Sequence, residues 1–265
     1  MNENFTSLIF FTVLSQTAAG ALIIRELLLL IGGFDFISVK RRRISLPVIS
    51  SLLLISLVIA FLHLGNPGLA FKAINNLGKS WLSREVFFLS LLLASLLPYL
   101  IISVKSNFRK TEKVFSVVII TISLLLVYSM IMLYMIPSII SWNNPFTPLS
   151  FVITTFLCGI VLLLVFIGGA DIRFNSASAI FIIILIILSL ANSIIFQGSF
   201  LKQEIPLFII RTTFSLVALL ITSLRIFRTQ TNKTCIWWVI LFIMVLSSEI
   251  INRYIFFLSF EKSGL

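Results

Sequence analysis

The chain has 265 residues, 59% of them hydrophobic and 11% charged, with a mean hydropathy of +1.16 and a formal net charge of +11 at pH 7. A soluble domain of this length cannot bury so much apolar surface, because surface shrinks too slowly with size; lipid accepts it, and at about 20 residues per spanning helix there is room for about eight spans. The Lys and Arg residues lie mainly in short segments between apolar runs, a signature of membrane orientation, so no nucleic-acid partner is expected.

The first apolar run extends from about Phe5 to Gly33. It is too long for a signal-peptide core, follows Asn2-Glu3-Asn4 instead of basic residues, and ends in no small-x-small cleavage site, so a retained span is expected. In chain order the spans fall at 8–32, 46–62, 86–104, 114–136, 149–169, 177–196, 207–224 and 235–258, to within about four residues at each end. Each run is continuously apolar, whereas barrel strands alternate with period two. The expected fold is therefore all-α: a polytopic bundle of about eight transmembrane helices forming a single transmembrane domain over 1–265, with no hydrophilic domain attached and no internal repeat.

Lys40, Arg41, Arg42 and Arg43 follow span 1; Lys105, Arg109, Lys110 and Lys113 follow span 3; Arg225, Arg228 and Lys233 follow span 7. The opposite connections are poorer, with Lys72, Lys79 and Arg84 after span 2, none after span 4, and Lys202 after span 6. By the positive-inside rule both termini face outward. The longest outer connection, Leu64 to Ser83, carries Phe71, Ile74 and Leu77 at every third residue. This suits a short helix lying in the interface plane; an ordinary loop with anchoring apolar residues fits equally.

A charge in the hydrocarbon costs roughly 2.5–3.5 kcal/mol on insertion scales, so intramembrane ionisable residues need a reason. His63 ends span 2, Glu85 opens span 3, Gln197 closes span 6, Arg211 opens span 7, and Glu249 with Arg253 lies in the outer part of span 8. Gln16 lies near the middle or in the outer half of span 1. The inner half holds Arg25-Glu26 and, just beyond span 5, Asp171 and Arg173. Groups from several helices thus converge near the outer surface. Taken singly, each has a plain structural explanation. Glu249 and Arg253 are one turn apart and could pair on one face, Glu85 complements a helix N-terminus, and His63 precedes the turn Leu64-Gly65-Asn66-Pro67. Together, a histidine and carboxylates in a partly apolar cavity could exchange protons with a ring-shaped apolar ligand. Arg211 or Arg253 could hold an oxygen of that ligand or keep a carboxylate charged.

His63 is the single histidine, so a bis-His haem site is not expected. Cys158 and Cys235 are far apart and sit in or beside apolar runs, which suits buried space-fillers. No Rossmann or Walker glycine pattern, Ser-His-Asp order or paired metal ligands appear.

The stretches Phe11-Thr12-Val13-Leu14-Ser15-Gln16 with Ala19-Gly20, His63-Leu64-Gly65-Asn66-Pro67 with Ala70-Phe71, Ser83-Arg84-Glu85, Phe146-Thr147-Pro148 and Glu249-Ile250-Ile251-Asn252-Arg253 with Phe256 resemble the membrane anchor subunit of anaerobic dimethyl sulfoxide reductase. The resemblance runs essentially end to end. It implies an anchor in the bacterial cytoplasmic membrane that binds and oxidises menaquinol. Electrons would pass to an iron–sulfur electron-transfer subunit and then to a molybdopterin catalytic subunit, so those cofactors belong to partners. It implies quinol binding or oxidation at His63 and Glu85, with Gln16, Arg211, Glu249 and Arg253 as candidate support. A site at the outer face would place the partners there too. Arg25-Glu26 departs from the more apolar stretch of that family, which argues against close pairing of span 1.

Two other readings compete. Intramembrane acids and arginines also mark the paths of small-solute or proton-coupled transporters, although these more often show broken, repeat-related helices near the midplane. A purely structural anchor would use its polar residues only for assembly.

Overall fold

A computed structural model describes residues 3–32, 39–63, 76–104, 109–167, 172–197, 205–227 and 234–263. Among these, eight α-helices account for nearly all the residues: α1 (Glu3–Gly32), α2 (Val39–His63), α3 (Trp81–Val104), α4 (Arg109–Tyr134), α5 (Phe146–Ile167), α6 (Ile172–Gln197), α7 (Ile205–Phe227) and α8 (Thr234–Ser263). All eight are long and apolar enough to cross a membrane. Helices are the natural outcome, since a spanning segment must satisfy its backbone polar groups internally.

The helices are longer than the apolar runs. Arg41 and Arg43 lie in the first turns of α2, and Lys110 and Lys113 in those of α4, so these charges ride on helical extensions and not on loops. Arg41 donates through Nη1 to the carbonyl of Ile167 at 2.9 Å, closing the end of α5. The proposed interface helix at Leu64–Ser83 falls largely outside the described residues; its last part, 76–80, is a turn, where Arg84 donates to the carbonyls of Leu77 (2.8 Å) and Gly78 (3.1 Å) and stacks over the Trp81 ring.

α1 and α5 are the most buried helices and pack directly on each other. Small residues allow the approach: a Cβ on Gly20 would stand 1.9 Å from the Thr155 carbonyl oxygen, and one on Gly159 would stand 2.5 Å from the Gly20 carbonyl carbon. Close backbone contact through small residues is how membrane helices gain packing energy when lipid is as apolar as the side chains. Span 1 therefore pairs closely with its neighbours, contrary to the expectation raised by Arg25-Glu26. The reason is that both side chains are fully buried and hydrogen-bonded inside the bundle. α2, α3 and α7 lie at the periphery, with Leu54, Leu97, Ile101, Ile209, Leu216 and Leu220 among their outward apolar side chains.

With successive helices alternating in direction, α1 begins and α8 ends at the same end of the bundle. That terminus-bearing end also holds the start of α3, the end of α4 and the 135–145 connection.

Candidate functional site

The buried face of α3 runs Glu85, Leu89, Leu92, Leu96, Tyr99, at helical spacing and each no more than 1% exposed. Helix α3 starts at Trp81, five residues before the run of apolar residues suggested, so Glu85 sits one turn inside and faces the core instead of capping an end. Its Oε1 meets no hydrogen-bond donor among the described residues.

Glu85 acts electrostatically on Tyr134, the last residue of α4, and Tyr134 also feels Arg253. Pro137 lacks an N–H and ends that helix, placing Tyr134 where the chain turns into the 135–145 connection. Its ring is surrounded by Trp142, Phe151, Phe256 and Phe257, with centroids 5.3–5.9 Å away. Trp142 stacks on Phe256 at 5.1 Å and its indole N–H donates to the Phe256 carbonyl at 3.1 Å, binding the connection to α8. The Thr147 hydroxyl donates to the Trp142 carbonyl at 2.7 Å and the Phe146 N–H to Asn144 Oδ1 at 2.9 Å, so the start of α5 is fixed to the same aromatic group.

Arg253 enters this group from α8. Its guanidinium lies 3.6 Å from the Phe151 ring centroid and donates through Nη2 to Gln16 Oε1 at 2.9 Å, while Nη1 has no partner among the described residues. Gln16 Nε2 also has none there. Gln16 and Arg253 are fully or almost fully buried. One end of the bundle thus combines an unpartnered acceptor, two unpartnered donors and a wall of aromatic rings.

Glu249 lies one turn below Arg253 but does not form the hydrogen-bonded pair with it that their spacing allows. It is held across helices instead: Thr154 donates to Oε2 at 2.7 Å, Ser189 to Oε1 at 2.7 Å and Asn252 to Oε2 at 3.2 Å, with Arg211 Nη2 at 4.0 Å. Arg211 donates to the Ser189 hydroxyl at 2.7 Å and carbonyl at 3.1 Å, and its Nε and Nη1 are unpartnered among the described residues. The Glu249 carboxylate ties α5, α6, α7 and α8 together. It acts on Arg253 only through space.

Arg25 and Glu26 form a salt bridge at the opposite end. Tyr99 and Ser116 each donate to Glu26 Oε2 at 2.6 Å, and Arg25 Nε donates to Ser45 at 3.2 Å. One buried ion pair therefore joins α1, α2, α3 and α4.

The six residues singled out from the sequence thus divide. Gln16 and Arg253 join beside the Tyr134 aromatic group, with Glu85 buried on α3 toward the same end of the bundle, whereas Glu249 and Arg211 form a separate knot. His63 is the last residue of α2, at the end where α3 begins, and α2 packs on α3; its side chain lies outside the described residues, as do those of Gln197, Arg173 and Cys235 and the whole of Asp171. Cys158 is a buried free cysteine. Sequence reasoning missed Tyr134, Trp142, Phe151, Thr154 and Ser189. The only local signal was the tyrosine before Met135-Ile136-Pro137, marking a span end.

Residues 1–258 match the family described as "DMSO reductase anchor subunit (DmsC)". Among curated proteins, the sequence is 28% identical over 198 residues to the YnfH chain of an Escherichia coli anaerobic dimethyl sulfoxide reductase, covering 72% of this chain and 67% of that protein. It is 30% identical over 164 residues to the C chain of the Haemophilus influenzae anaerobic dimethyl sulfoxide reductase, and 29% over 168 residues to the C chain of the Escherichia coli one. Those matches cover 58% and 62% of this sequence but only 56% and 58% of the relatives' lengths.

Proposed function

The chain belongs to the DMSO reductase anchor subunit family, and from that premise we propose that it is a membrane anchor that binds and oxidises menaquinol at the Glu85–Tyr134–Arg253 end of the bundle. The observation carrying this reading is the set of unpartnered buried groups at that end: Glu85 Oε1, Gln16 Nε2 and Arg253 Nη1. A buried polar group without a partner costs about 1–3 kcal/mol, and more when charged, so several in one place point to a ligand that completes them.

A quinol fits this set. Its hydroxyls donate, its oxygens accept, and its fused rings match an apolar aromatic wall. Oxidation to the quinone gives up two protons and two electrons. In this reading Glu85 takes one hydroxyl proton, and His63, at the adjoining end of α2, takes or passes on another. Tyr134 and its aromatic neighbours exclude water and hold the rings. The electrons leave to an iron–sulfur partner subunit and from there to a molybdopterin partner, which reduces dimethyl sulfoxide or a related acceptor. The short path this needs puts the partners on the same face, which the basic flanks of α2 and α4 make the outer face of the bacterial cytoplasmic membrane. Protons are then released outward.

The test is to purify the complex carrying His63→Ala or Glu85→Gln. Both partners should still co-purify while quinol-dependent turnover per complex collapses. Unchanged turnover would remove the quinol assignment. Protease treatment of intact spheroplasts should digest the partners; full protection would reverse the orientation.

A further inference from the structure

Two buried arginines compete for the role of holding the quinone oxygen, and their surroundings distinguish them. Arg211 is engaged in the knot that joins α5 to α8: it donates twice to Ser189 and stands 4.0 Å from the Glu249 carboxylate. That carboxylate already accepts from Thr154, Ser189 and Asn252. This arrangement supports the bundle; Arg211 Nε and Nη1 are also unpartnered among the described residues, so what separates the two arginines is their neighbours and not the count of free donors.

Arg253 differs in three respects. Its guanidinium is oriented from two sides, by the Phe151 face at 3.6 Å and by the 2.9 Å bond from Nη2 to Gln16 Oε1. The atoms left unpartnered among the described residues, Arg253 Nη1 and Gln16 Nε2, belong to the two groups joined by that bond, so one hydrogen-bonded pair carries two free donors. Tyr134 packs against both rings that the Arg253 guanidinium stands over, Phe151 at 5.3 Å and Phe256 at 5.9 Å, and it closes the end of α4 against which the Glu85-bearing helix α3 packs.

We propose that Arg253 Nη1 and Gln16 Nε2 together hold one quinone oxygen, that Gln16 also positions Arg253 through Oε1, and that Glu249 and Arg211 take no part in ligand binding. This rests on the quinol reading above and specifies its second half: Glu85 faces one oxygen and takes its proton, and the Arg253–Gln16 pair holds the other, whose proton is the second released on oxidation to the quinone. A planar guanidinium whose direction is fixed by a ring and an amide suits this task, because little freedom remains to be lost on binding. Gln16 selects that direction, since only its carbonyl oxygen faces the guanidinium, leaving its amide nitrogen free.

The experiment titrates a soluble two-ring naphthoquinone analogue into the purified whole complex, following protein fluorescence, for wild type, Arg253→Gln, Arg253→Lys and Gln16→Met. Arg253→Gln should raise Kd about ten- to hundredfold, the usual loss for a hydrogen bond from a charged donor. Arg253→Lys, which keeps the charge but loses the fork, should fall between it and wild type, and Gln16→Met should weaken binding by up to about tenfold. Quinol KM should rise with Kd in the same order. A purely structural role would instead lower the amount of assembled complex and leave Kd per complex unchanged, and that result overturns the proposal. If Arg253→Gln does not assemble, the Lys and Met variants decide the matter alone. Normal binding by these variants alongside loss of quinol turnover in Glu85→Gln would overturn the Arg253–Gln16 assignment but keep the quinol site. Failure of the wild-type complex to bind the analogue would remove the site itself.

Discussion

The bundle carries two buried polar groupings at opposite ends of α3, and they are built on opposite principles. At one end, Glu26 is fully engaged: Arg25 meets one carboxylate oxygen, and Tyr99 and Ser116 meet the other. At the other end, Glu85 has an oxygen that no described residue meets, and Gln16 and Arg253 each keep a free donor. The same helix face leads from one to the other, Glu85 at its start and Tyr99 near its end, with only leucines between. Burial is therefore not what separates them. A carboxylate met on both oxygens, as Glu26 and Glu249 are, holds helices together, and one left short of donors, as Glu85 is, suits a ligand. The lesson is that an intramembrane charge is diagnostic only once its partners are counted.

Substitutions can break or sharpen this contrast. The largest effect is expected at the open end, where Glu85→Gln should lower quinol-dependent turnover by about 10²–10⁴-fold, the usual weight of a general base, with thermal stability close to wild type. Glu26→Gln should do the reverse. It leaves the Arg25 guanidinium buried beside a neutral amide, which costs about 3–5 kcal/mol of stability when a buried pair is broken; turnover per surviving complex should hold. Thermal unfolding in detergent, read beside turnover, checks both, and adding Arg25→Met to Glu26→Gln should recover part of the lost stability. Gly20→Ala should follow at about 1–3 kcal/mol, an overpacking cost, because the new methyl would meet the Thr155 carbonyl oxygen and force α1 from α5. Ser116→Ala is the smallest, at about 0.5–1.5 kcal/mol, since Tyr99 still donates to the same Glu26 oxygen. A fall in quinol turnover with Ser116→Ala, at normal stability, would blur the distinction between the two ends.

Hydropathy alone made the all-helical, eight-span fold legible, because lipid leaves a polypeptide so few ways to satisfy its backbone. Packing was less legible. The run Ala18-Ala19-Gly20-Ala21 signals close approach, but its partners on α5, Thr155 and Gly159, are only two small residues one turn apart in an otherwise strongly apolar helix. Arg25-Glu26 read as an obstacle to packing because its partners Ser45, Tyr99 and Ser116 come from three other helices and are ordinary residues in isolation. The one-turn spacing of Glu249 and Arg253 suggested a local pair, and tertiary contacts overrode it: Thr154, Ser189 and Arg211 reach one residue, and Gln16 and Phe151 the other. Glu85, Gln16 and Arg253 were recognisable as unusual residues at a similar depth. Tyr134 was not, since its significance arises from rings supplied by the 135–145 connection, α5 and α8.

The most direct test is a side-by-side measurement of naphthoquinone binding to purified complexes carrying Glu85→Gln or Glu26→Gln. Weakened binding in the Glu85 variant and unchanged affinity per folded complex in the Glu26 variant are predicted. Equal affinities in both, or a loss confined to the Glu26 variant, would contradict the assignment of the ligand to the end with unpartnered groups.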